Sequence, residues 1–147
     1  MTGQTKTLTI EQLEKKANEI RVDIIKMLEE AKSGHSAGPL GLSDIFTALY
    51  FDIMHYDPKN PQLADRDILL LSNGHCVPVQ YATMAHAGFF DRKELMTLRK
   101  HKSRLQGHPE RHTLPGLENT SGPLGCGLSQ ACGMALAMRM NKEKNRY

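Results

Sequence analysis

Three histidines in this 147-residue chain follow a glycine: Gly34-His35, Gly74-His75 and Gly107-His108. Imidazole can donate, accept or carry a proton near neutral pH. A neighbouring glycine lets backbone or ligand come close and tolerates unusual dihedral angles. A lone Gly-His pair is most often an ordinary loop histidine. Three of them in loop-like segments favour a site that handles protons. His55, His86, His101 and His112 lack that context and read as structural or solvent-facing residues.

Two of the surrounding segments suit an anionic or flat ligand. Ile68–Leu71 followed by Asn73-Gly74-His75 reads as strand, turn and helix. A helix start at the end of a parallel strand presents free N–H groups and a positive dipole end to a phosphate or diphosphate. An ordinary strand–helix turn fits the same residues equally well. Ser121-Gly122-Pro123-Leu124-Gly125-Cys126-Gly127 is a second glycine-rich turn before a helix. It lacks the Gly-Lys-Ser/Thr of a phosphate loop and the third glycine of a dinucleotide turn. A flat ring could lie on its bare backbone; a loop packed tightly against its neighbours is the alternative.

Other constellations are weaker. The cysteines form no CxxC clamp, and a metal site is not expected. Arg99–Arg104 is the one notable basic cluster. It lacks the interleaved aromatics of a single-strand binder, so nucleic acid is not expected and a phosphate-bearing substrate is a modest option.

The elements that must position these residues follow from pattern. Thr9 with Gln12 reads as a capping box. Leu13, Ala17, Ile20, Ile24 and Leu28 then form one helical stripe that stops at Ser33-Gly34. A loop is expected over SGHSAGPLGLSD, with Ser43 as the N-cap of a second helix that ends near Asp57-Pro58. Ile68–Leu71 is expected as a buried strand, and a helix follows to about Ala87 with Pro78 in its first turn. Asp91 and Glu94 suggest a capped helix to about Lys100. His101–Gly127 has no period, and a last helix runs from Leu128 to about Asn141. Helices flanking a single strand imply an α/β domain whose sheet is unfinished, with Arg146-Tyr147 where a second strand would begin.

Composition is consistent with one folded domain over residues 1–147: hydrophobic residues are 39% and charged residues 24%. A net charge of +3 is too small to imply nucleic acid or an anionic membrane. No apolar run approaches the ~20 residues of a bilayer helix, and the N-terminus lacks a secretory core. With Cys76, Cys126 and Cys132 unpaired by spacing, a cytoplasmic chain with reduced thiols is expected.

The segments SGHSAGPLG, LSNGH, SRLQGHPE and TSGPLGCGLSQACGMALA, in that order, resemble the N-terminal region of transketolases from about Arg21 onward. Four motifs in order are far more specific than one. The related 1-deoxyxylulose-5-phosphate synthases match less well at GHPE and SGPLG. The resemblance implies a thiamine-diphosphate-binding α/β fold, a parallel sheet flanked by helices, incomplete and helix-dominated in this chain. It implies transfer of a two-carbon ketol unit from a ketose phosphate to an aldose phosphate. By it, His75 lies near the cofactor diphosphate, and Gly122, Pro123 and Leu124 line the cofactor rings. His108 would hydrogen-bond the donor's terminal hydroxyl, and His35 would exchange a proton at the reacting carbon. Ser36 departs from the apolar residue or proline usual there, which implies a change in loop stiffness.

The family's GDG…N segment, which supplies ligands to Mg2+ or Ca2+, and the glutamate that activates the cofactor are not in this sequence. The chain is therefore expected to be a split or truncated transketolase piece, inactive without a C-terminal transketolase subunit or domain and acting as part of a homo- or hetero-oligomer. The alternative is a non-catalytic assembly module that binds a transketolase subunit.

Overall fold

The computed structural model describes residues 8–143. Helix α1, Ile10–Ala31, opens on the expected reciprocal cap. The Gln12 N–H donates to Thr9 Oγ1 at 3.2 Å, and the Thr9 N–H donates to Gln12 Oε1 at 2.9 Å. Of the expected stripe, Ala17, Ile20 and Ile24 are buried and Leu13 and Leu28 half-buried, and Met27, outside that stripe, is buried as well. The helix ends just before Gly34, because Lys32 takes the left-handed C-cap conformation (φ 52°).

Helix α2, Ala37–Ala48, lies where a loop was expected. Pro39 falls in its first turn, where the missing N–H has no intrahelical acceptor to lose. Leu40 N–H then makes the first helical bond to Ser36 O at 3.0 Å. Ser43 is not an N-cap: it is buried inside α2, with its hydroxyl donating to Pro39 O at 3.0 Å. The helix passes into a π-helical turn, Leu49–Ile53, closed by Met54 N–H to Leu49 O at 2.7 Å. It therefore stops short of Asp57-Pro58.

A 3-10 turn, Gly74–Cys76, leads into helix α3, Val77–His86, with Pro78 in the first turn as expected. Every residue from Val77 to Ala85 is buried, so α3 is the central helix. Helices α1 and α2 pack on it and on each other. Side chains such as Ile20, Ile24, Met27, Leu95, Leu98 and Leu105 are fully enclosed. Each stabilises the fold by about 1.5–3 kcal/mol. The segment after Asp91 is 3-10 rather than α, Arg92–Thr97, with Asp91 Oδ1 accepting the Lys93 N–H at 2.8 Å.

The expected strand and sheet are not formed among the described residues, which are helical or irregular. Leu71 instead bonds to a side chain. The Leu71 N–H donates to Asn119 Oδ1 at 3.1 Å, and Asn119 Nδ2 donates to Leu71 O at 3.2 Å. Arg146-Tyr147, read as a strand start, lies outside the described residues. The final helix α4, Cys126–Met140, buries only Gly127 and Met138. Leu128, Leu136 and Met140 stand 70%, 59% and 74% exposed on it. No helix among the described residues is long and apolar enough to cross a membrane.

Candidate functional site

The glycine-rich turn before α4 is the hub of the site. On one side it is tied to the segment that carries His75. The Gly127 N–H donates to Ser72 Oγ at 3.2 Å, and a β-carbon on Gly127 would stand 2.7 Å from Ser72 Cα. A β-carbon on Gly74 would stand 2.7 Å from Ser121 O. Such distances exclude any side chain, so both glycines exist for backbone approach. Asn119, already paired with Leu71, also donates to Gln130 Oε1 on α4 at 3.0 Å.

On its other side the same turn holds the segment that carries His108. The Ser121 N–H donates to Pro109 O at 3.1 Å, and the Arg111 N–H donates to Thr120 Oγ1 at 3.1 Å. The Ser121 hydroxyl is buried and has no hydrogen-bond partner among the described residues.

A third close approach brings in His35. A β-carbon on Gly38, in the first turn of α2, would overlap the Cys76 sulfur, which also accepts from Asn73 Nδ2 at 3.2 Å. The loop before α2 therefore lies directly on the turn before α3. His35 and His75 meet there, with ring centroids 5.0 Å apart and planes at 59°.

His108 faces the same region. Partial burial pushes its pKa below the ordinary value, and the positive charge of Arg99 and the nearby His35 and His75 push it the same way. It lines an open cleft of about 790 Å³ with Ser33, Arg99, Gly107, Glu110 and Ser121. Histidines from three separate segments thus converge.

Gly122, Pro123 and Leu124 sit at the rim. Nothing lies within 4 Å of a β-carbon position on Gly122, so its backbone borders open space. Leu124 is 71% exposed. Gly125 takes a left-handed conformation (φ 86°) as the N-cap of α4, with no side chain capping that end.

Three features of the site are not legible in the sequence: Asn119, Arg99 and the Gly38–Cys76 contact. Asn119 carries no usable signal, since an asparagine before Thr-Ser-Gly reads as loop. Gly38 stands inside a recognisable motif, but its partner lies far along the chain. The basic cluster separates into individual roles. Lys100 and Arg104 pair with Glu30 and Glu94, Arg104 also lies over the Phe90 ring, and Arg99 reaches Ser33 Oγ. His86 is structural, as read: it pairs with Asp23 at 2.8 Å. Among the described residues no three His, Cys, Asp or Glu side chains converge as metal ligands.

The family model described as the transketolase thiamine diphosphate binding domain matches residues 12–146. The chloroplastic transketolase of Zea mays is 45% identical over 138 residues, 92% of this chain and 20% of that protein. One subunit of the apulose-4-phosphate transketolase of Phocaeicola vulgatus is 40% identical over 135 residues, 92% of this chain and 48% of that protein. Among solved structures, the transketolase of Leishmania mexicana superposes with a TM-score of 0.82 at 40% identity, covering 85% of this chain and 19% of that one. A Pichia stipitis transketolase in complex with sedoheptulose-7-phosphate gives 0.82 at 35% identity, over 86% and 19%. The chain thus spans a fifth to a half of the relatives compared, and it belongs to the transketolase family through its thiamine diphosphate-binding domain.

Proposed function

We propose that this chain is the N-terminal, diphosphate-binding part of a transketolase that moves a two-carbon ketol unit from a ketose phosphate to an aldose phosphate. The observation that carries the reading is the convergence of His35, His75 and His108 beside a glycine turn whose outer backbone is open.

The residues fit thiamine diphosphate. Gly122 offers bare backbone to a flat ring, with Pro123 and Leu124 beside it as apolar wall. His75 opens the turn into α3, where N–H groups and the helix dipole favour a diphosphate. Thiamine diphosphate, when bound, supplies the electron sink for cleavage next to a ketone. The chain's own part is orientation and proton handling. A depressed pKa keeps His108 neutral at physiological pH, able to accept a hydrogen bond from a sugar's terminal hydroxyl. In this reading His35, whose ring lies 5.0 Å from that of His75, exchanges a proton with the oxygen at the reacting carbon.

The reading includes Mg2+ or Ca2+, held by residues outside those described. It also includes a partner that completes the site, a C-terminal transketolase subunit or domain in a homo- or hetero-oligomer. The uncovered apolar side chains of α4 support such a partner, since Leu128, Leu136 and Met140 would otherwise stay in water. Three free thiols fit the reducing cytoplasm. The same α4 face supports a second reading, a non-catalytic module that assembles with a transketolase subunit.

The test combines the chain with a C-terminal transketolase partner, thiamine diphosphate and Mg2+, and measures ketol transfer. Transfer that depends on this chain and collapses in His75→Ala and His108→Ala is expected. Transfer that survives both substitutions would overturn the catalytic reading. Stable assembly without turnover would favour the second.

A further inference from the structure

The guanidinium of Arg99 lies between the glycines that precede two of the site histidines. On one side, a β-carbon at Gly107 would stand 2.8 Å from Arg99 Nε and 2.9 Å from both Cζ and Nη2. On the other, a β-carbon at Gly34 would stand 3.9 Å from Arg99 Nε, and Arg99 Nη1 donates to the neighbouring Ser33 Oγ at 3.4 Å. The base of the side chain is also fixed. Arg99 adopts a left-handed backbone conformation (φ 60°), and its N–H donates to Leu105 O at 2.9 Å.

Its neighbours differ in kind. Lys100, Arg104, Arg92 and Arg66 each take a carboxylate, whereas Arg99 forms no ion pair among the described residues. Its planar guanidinium is the shape that can stack flat on peptide backbone.

We propose that Arg99 is a positioning residue: its guanidinium, held between the Ser33-Gly34 and Gly107 backbones, sets His35 and His108 at a fixed separation across the cleft. The role rests on the transketolase reading for its purpose, but not for its geometry. It also accounts for the glycine of the Gly107-His108 pair, which leaves room for the flat group; at Gly34 a β-carbon would instead meet Leu28 Cδ2 at 2.5 Å, with Arg99 at ordinary contact distance. Lysine could supply the charge but not the planar fork.

The charge has a second consequence. His108 is faced by Arg99, His35 and His75, with Glu110 on the same cleft wall. The arginine disfavours the imidazolium and so helps keep His108 neutral.

The test uses the full chain and needs no turnover, so it can fail while ketol transfer stands, and the reverse. Histidine titrations are followed by NMR in the parent, Arg99→Gln, Arg99→Lys and Ser33→Ala, with backbone amide-nitrogen relaxation for residues 33–36 and 106–108. In Arg99→Gln the His108 midpoint is expected to rise and both loops to become more mobile. Arg99→Lys should restore the midpoint without restoring loop rigidity. An unchanged His108 midpoint and unchanged relaxation in a folded Arg99→Gln chain would overturn the proposal. Should that variant lose its helical signal, Ser33→Ala decides, since it alters only the exposed far end of the strut. Greater mobility at Gly34 and His35 supports the proposal, and unaltered relaxation rejects it.

Discussion

Asn119 acts toward Leu71 as a neighbouring strand would. Its amide oxygen accepts the Leu71 N–H at 3.1 Å, and its amide nitrogen donates to Leu71 O at 3.2 Å. A third bond, to Gln130 at 3.0 Å, fixes the same amide to α4. One side chain therefore satisfies a buried peptide and joins the segment before His75 to the helix behind the glycine turn.

Asn119→Ala should leave both Leu71 backbone groups without partners. The expected loss is about 2–4 kcal/mol, read from urea unfolding. Asn119→Asp retains an acceptor but brings a carboxylate against Leu71 O, and it should rescue little. An unfolding midpoint equal to the parent's for Asn119→Ala would refute this account.

Gly122 and Gly74 should separate binding from stability. Gly122→Ala meets open space and should leave the melting temperature unchanged while weakening thiamine diphosphate uptake. Gly74→Ala forces a β-carbon onto Ser121 O and should destabilise the chain by about 1–3 kcal/mol. Calorimetric titration with Mg2+ and the C-terminal partner present, and thermal melts of the two variants, check this. Equal affinity in the parent and Gly122→Ala would remove Gly122 from the cofactor wall.

The Arg66–Glu118 pair ties the chain before Leu71 to the one before Asn119. Arg66 Nε and Nη2 reach the two carboxylate oxygens at 3.0 Å each, largely shielded from water. Glu118→Ala should cost about 3 kcal/mol, because it takes the carboxylate from a shielded guanidinium whose charge a neutral bond such as that to Leu63 O does not offset. Arg66→Met with Glu118→Leu should recover most of that loss. A double variant no better than the single would argue against stranded charge as the cause.

His86 predicts how stability depends on pH. Its ring is enclosed, and that burial holds its pKa below the ordinary value. The positive charge of Arg92 adds to the effect, while the bond to Asp23 opposes it. The unfolded chain therefore takes up this proton more readily. Stability should fall as pH drops through about 6.5, and keep falling until the lower folded pKa is passed. His108, shifted the same way, adds to the slope. His86→Gln should flatten the dependence between pH 7.5 and 5.5 in thermal melts. A slope identical to the parent's would assign the acid sensitivity elsewhere.

What could be read from sequence was local. The Thr9–Gln12 cap, the start of α3 with Pro78 in its first turn, and most of the aperiodic run read over His101–Gly127, which α4 cuts short at Cys126, each depend on residues a few positions apart. The strand at Ile68–Leu71 did not form a ladder because its pairing needed a second strand, and Asn119 took that place. Ser43 reads as a cap only while Pro39 reads as a breaker; once Pro39 occupies a first turn, the N-cap moves back to Ser36. The site shows the same division. Histidines and glycines were visible by type, and their motif order carried the family. Arg99 looked like one charge in a basic run, because what sets it apart is two backbones brought to it from elsewhere in the chain.

The two close glycine approaches, Gly74 on Ser121 and Gly127 on Ser72, make the His75 segment and the glycine turn a matched lock. Each surface is shaped by the other at the level of bare peptide. A chimera of two homologues joined anywhere between residues 77 and 118 would pair surfaces that never adapted to each other. Crossovers before Ser72 or after Gly127 would keep the lock intact, so residues 72–127 are the smallest block that gene shuffling can exchange without rebuilding the site.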